Sequence, residues 1–195
     1  MSNFSNNDVP CISTDALPVR VNFSPPLRPR TEEQVSRMLT EAGITVSRMA
    51  SSPQSTINPV LKTLKQISSS MEKYMVRYQL KREVSKALEA EGISLGMVDK
   101  LALVFVNLLI EGFELGRAEP SASIILYLKC ASVWSLSRLR DIFSLLLQLL
   151  NDVIEECSET PRQTQLVVKA EDHNSYMLYL GSVAGKSVKI FVILL

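Results

Sequence analysis

The apolar residues of this chain keep a helical period from about residue 31 to residue 157, then alternate from Arg162 onward. Spacing at i, i+3, i+4, i+7 builds one face of a helix, and strict alternation builds one face of a strand. The switch points to an α+β chain, mainly α, whose strands follow its helices. The expected architecture is a helical bundle of four to five helices followed by a C-terminal three-stranded antiparallel β-meander, with a disordered N-terminal tail. Residues 31–195 would form a single domain, with 162–195 as the meander.

Residues 1–30 carry five of the nine prolines (Pro10, Pro18, Pro25, Pro26, Pro29), none of the seven glycines, and much Ser and Asn. That composition reads as an extended, flexible tail. Thr31 and Gln34 fit a capping box, and Gly43 fits the C-cap of a first helix whose apolar face is Val35, Met38, Leu39 and Ala42. A polar connector over 44–57 follows. Asn58-Pro59 would start one long helix that runs to about Glu91 and stops at Gly92. A third helix is expected from Gly96 or Met97 to Leu115, and a fourth from about Ser135 to Cys157. Residues 121–133 suit a buried strand or a helix, and the Ser cap after Pro120 favours helix. In the C-terminal part, Gln163–Ala170, Ser175–Val183 and Ser187–Leu195 read as strands.

The composition restricts the chemistry. A hydrophobic fraction of 46% in 195 residues is enough for a packed core. Lys and Arg total 21 against 20 acidic residues, so no global field draws the chain to nucleic acid or membrane. One histidine excludes any site built on two, and no metal or cofactor site is expected. Cys11, Cys130 and Cys157 are odd in number and widely spaced, which argues against a disulfide framework. The N-terminus lacks the basic and apolar regions of a signal peptide, and no apolar run approaches the roughly 18 residues of a membrane span. The expectation is an intracellular chain, cytoplasmic or nuclear and not secreted.

No motif carries catalysis. Gly181 to Ser187 resembles a phosphate loop, but three residues separate its glycines where four are needed, and no helix can follow. His173 beside Asp172 reads as a turn histidine. The carboxylate pairs Glu111/Glu114 and Glu155/Glu156 read as solvated helix edges. An enzyme would need an unrecognised pocket around Glu111, His173 or Cys157, and no small-molecule substrate suggests itself.

The informative segment is the long helix. Val60, Leu64, Ile67, Met71, Tyr74 and Tyr78 are spaced 4-3-4-3-4, the seam of three heptads. Lys81 breaks the seam, and Leu80, Val84 and Leu88 start a rotated stripe. The seam suits either a dimer interface or packing inside the bundle, and its Met and Tyr residues are adaptable contact residues. From Lys62 to Lys86 seven basic residues face two acidic ones, a block of +5. Lys73, Arg77 and Lys81 form a ridge, with Arg82 beside it, that suits weak binding to nucleic acid or an anionic membrane surface. Ser24, Ser52 and Thr160 each precede proline and are candidate phosphorylation points. Pro26 and Pro29 make a bare P-x-x-P.

The reading that follows is a non-enzymatic structural, assembly or interaction protein that forms homo-oligomers or binds other proteins. Small viral matrix-like, capsid-like or accessory proteins share this profile, an analogy of type and not of residues.

Overall fold

The computed structural model describes residues 16–130, 135, 138–157, 163–167, 178–179 and 181. Within them the order is β1 (Leu17–Ser24), α1 (Pro29–Ser51), α2 (Ile57–Gln66), α3 (Ser70–Ala90), α4 (Leu95–Ile110), β2 (Phe113–Pro120), β3 (Ile124–Cys130), α5 (Leu139–Glu156) and β4 (Gln163–Val167). The class is α+β, mainly α. The four strands form one antiparallel sheet in the order β2-β3-β1-β4.

The sheet corrects the expected topology. The segment read as tail supplies β1, an interior strand that pairs with β3 (Val19 opposite Leu126) and with β4 (Asn22 opposite Gln165). Its alternation explains this placement. Leu17, Val19, Val21 and Phe23 are buried on one face and join Ile124, Leu126 and Leu128 of β3 and Phe113, Leu115 and Ala118 of β2 in the core. Residues 1–15 lie outside the described residues. So do most of the two later meander strands, although Leu178, Tyr179 and Gly181 are helical, contrary to a strand over 175–183. The 182–195 stretch, with its phosphate-loop resemblance, also falls outside.

Three helix boundaries differ as well. The third helix ends at Ile110, because Gly112 takes φ 80° and turns the chain into β2. Residues 124–130 are a strand and not a helix. The first helix runs on through Gly43 to Ser51, so residues 44–51 are not a connector, and Pro29, not Thr31, opens it. Gly43 is required by packing. A Cβ there would stand 2.5 Å from the Leu115 carbonyl oxygen of β2. One turn earlier, the Ala118 N–H donates to Thr40 Oγ1 at 2.9 Å. Helix α1 thus lies along the outer edge of β2 and satisfies backbone groups that an uncovered edge would expose.

The hairpin between β2 and β3 is fastened to the start of α1. The buried Glu32 carboxylate accepts from the Ser121 N–H at 2.6 Å and the Ser123 N–H at 3.1 Å. The buried Arg20 guanidinium donates to the hydroxyls of Ser121 (3.2 Å) and Ser123 (3.3 Å). Ala122, between the two serines, takes φ 52°, which needs such fixing. Leu27 is buried and Pro29 starts a helix, so Pro26 to Pro29 is held against the body and not presented as polyproline.

The long helix of residues 59–91 is two helices. Ile67 leaves helical geometry with ψ 130°, and Ser69 caps α3 by accepting from the Glu72 N–H at 3.5 Å. Three successive serines, Ser68 to Ser70, compete for the backbone here, and Ser69-x-x-Glu72 is a capping signature. The stop at Gly92 holds. Its φ is 81°, and the Ile93 N–H reaches back to the Leu88 carbonyl at 3.3 Å.

Candidate docking site

The break at Ser68–Ser70 divides the heptad seam. Leu64 is buried and Val60 packs against the core, so the α2 part of the seam is internal. The α3 part faces solvent. Met71 is 71% exposed, Tyr74 64%, Met75 59% and Tyr78 58%. Helix α3 is anchored instead by the rotated stripe Leu80, Val84 and Leu88, all fully buried. At about 100° per residue, the two stripes point roughly 135° apart, so the exposed stripe looks away from the body. Residues 70–79 are exposed almost all round, with Val76 alone half-buried.

Four large apolar side chains at i, i+3, i+4 and i+7 over two turns make one continuous patch. Aromatic and Met side chains of this exposure present roughly 500 Å² together, in the range of the largest apolar patch of a typical monomer, which is often functional. Nothing in the helix's own packing uses it.

The basic ridge is not uniform. Lys81 is drawn to the neighbouring helix, its Nζ 2.9 Å from Asp99 Oδ1 of α4. Lys86 pairs with Glu83 at 3.5 Å. Lys73, Arg77 and Arg82 are exposed and, among the described residues, have no carboxylate partner. The structure therefore leaves Lys73 and Arg77 exposed on the same half-helix as the apolar stripe, with Arg82 about one turn beyond it, and removes Lys81.

The remaining candidates disperse. Glu111 pairs with Arg138 at 3.3 Å, and Glu114 accepts from the Ser47 hydroxyl at 3.1 Å. Glu156 holds Lys100 at 2.9 Å, an ion pair that raises the Lys100 pKa above its ordinary value against a smaller effect of burial. Cys157 is half-buried at the end of α5, and the backbone N–H of Cys130 donates to the buried hydroxyl of Tyr179. Burial raises the Tyr179 pKa. His173, Asp172 and Thr160 lie outside the described residues. Ser24 is exposed at the end of β1. The Ser52 hydroxyl accepts from the Gln54 N–H at 3.3 Å just past α1.

Among the described residues no group of three or more His, Cys, Asp or Glu is placed to hold a metal ion, and no helix is long and apolar enough to cross a membrane. A cavity of about 10 Å³ lies among Gly43, Val46, Phe105, Leu109, Phe113 and Leu115. That is room for about one water, where small-molecule sites take roughly 300 Å³ or more. No family model, curated protein or solved structure matches the chain.

Proposed function

We propose that this chain is a non-enzymatic interaction or assembly protein and that the first half of α3 is the element through which it joins other chains. One observation carries the reading: Met71, Tyr74, Met75 and Tyr78 form an exposed apolar stripe on a helix already anchored by a different face. Exposed anchors at i, i+3, i+4 and i+7 are the pattern by which one helix seats in an apolar site of another protein. Met and Tyr suit such contacts, since Met adapts its shape and Tyr keeps its hydroxyl in water. The sheet and α1, α4 and α5 then serve as a rigid platform.

The test is site-specific photo-crosslinking in the full chain. A photoreactive residue at Tyr74 is expected to give discrete protein adducts, with either a second copy or another protein. The same residue at Leu95, at least as exposed at the start of α4 but outside the stripe, supplies the background. Adducts no stronger at 74 than at 95 would overturn the reading.

A further inference from the structure

We infer that the partner of the α3 stripe is an amphipathic helix with acidic flanks, and not a second copy of this chain; the inference rests on the docking reading above. With Met71 and Tyr78 at position a and Tyr74 at d, Met75 and Arg82 are e residues and Arg77 is a g residue. The carboxylates of the segment, Glu72 and Glu83, fall at b and f, outside the flanks that meet a partner. A parallel second copy would set Arg77 against Arg82 of its mate. An antiparallel copy would set basic flank against basic flank with no carboxylate between them. Lys81, at the next d position, is held by Asp99 at 2.9 Å and does not extend the seam.

A partner helix with apolar a and d residues and Glu at e and g removes both conflicts. Its apolar seam covers Met71, Tyr74, Met75 and Tyr78, and its carboxylates reach Arg77 and Arg82. Exposure around most of residues 70–79 leaves room for such a helix on the stripe and for a further acidic wall near Lys73. A flat anionic surface fits less well. Against the stripe it would meet Arg82, while Lys73 points to the opposite side of the helix.

The probes are two synthetic three-heptad peptides with Leu at a and d, one carrying Glu and the other Lys at e and g, titrated into the full chain. The Glu peptide is expected to bind about tenfold tighter than the Lys peptide at low salt, an advantage that shrinks as salt is added. Lys73→Glu/Arg77→Glu/Arg82→Glu should reverse the preference, and Met71→Asp/Tyr78→Asp should abolish binding of both peptides. These side chains are exposed, so an unchanged thermal midpoint certifies that each variant is folded. Equal binding of the two peptides, or none, overturns the inference. So does tighter binding to phosphatidylserine vesicles or RNA that survives the Met71/Tyr78 substitution. A stripe-dependent dimer of the chain alone would overturn the acidic partner while leaving the docking reading intact; absent crosslinks at residue 74 would remove both.

Discussion

Gly43 faces the carbonyl oxygen of Leu115 so closely that a Cβ on residue 43 would stand 2.5 Å from it. The obstacle is backbone, which cannot swing aside as a side chain can. At an exposed helical site, Gly to Ala gains about 1 kcal/mol from propensity. Here Gly43→Ala is expected to lower stability by ~1–3 kcal/mol, the cost of overpacking a closed contact. Urea unfolding measures the sign, and a stabilised variant would show that α1 does not press on β2.

Glu32 organises the β2–β3 turn from another element. Replacing it by Ala leaves the buried Ser123 amide without its acceptor, at ~1–3 kcal/mol, while the exposed Ser121 amide keeps the Ser123 carbonyl at 2.8 Å. Glu32→Gln keeps an acceptor oxygen and should cost less. Amide hydrogen exchange at residues 121–123 should quicken in both variants, more in the Ala form.

Alkaline pH should weaken the fold. The ion pair with Glu156 raises Lys100 above 10.5. Burial, and then the 2.9 Å bond to Glu119, raises Tyr127 above 10.0, with Tyr179 raised by burial. Each group holds its proton more tightly folded than unfolded. The stability they contribute is therefore complete below about pH 10 and is lost as pH climbs through the raised values. Thermal midpoints measured from pH 8 upward should be level at first and then fall, and Tyr127→Phe should shallow the decline. A midpoint that rises above pH 10 would contradict this.

The two halves of the seam should respond oppositely to charge. Met71→Asp/Tyr78→Asp changes solvent-facing residues and should move stability by no more than about 0.5 kcal/mol per site. Leu64→Asp in the α2 half buries a carboxylate and should unfold the chain or cost several kcal/mol, as should Leu88→Asp on the rotated stripe that anchors α3. Equal damage from both sets would mean that the whole seam is core.

Much of this was legible in the sequence. The helical faces, the stop at Gly92 and the rotated stripe Leu80, Val84, Leu88 are local patterns, and the structure keeps them. The division of the seam has a local signal too, in Ser69-x-x-Glu72 within the run Ser68 to Ser70, but the apolar spacing continues unbroken across it. Strand β1 was hidden by its company. Leu17, Val19, Val21 and Phe23 alternate plainly, yet they lie among prolines and asparagines whose composition reads as tail. The end of α4 at Ile110, before the turn at Gly112, and the place of Gly43 were not legible, because each depends on where β2 lies. Which cation stays unpaired on α3 depends likewise on α4, since Asp99 claims Lys81 and leaves Arg77.

Docking of a helix with acidic flanks would engage only the exposed half of α3. Backbone amide NMR of the full chain, titrated with the Glu-flanked peptide, tests it most directly. Shifts should be confined to residues 70–82 and be missing from β1 and β2. Shifts spread over the sheet, or none at peptide excess, would contradict it.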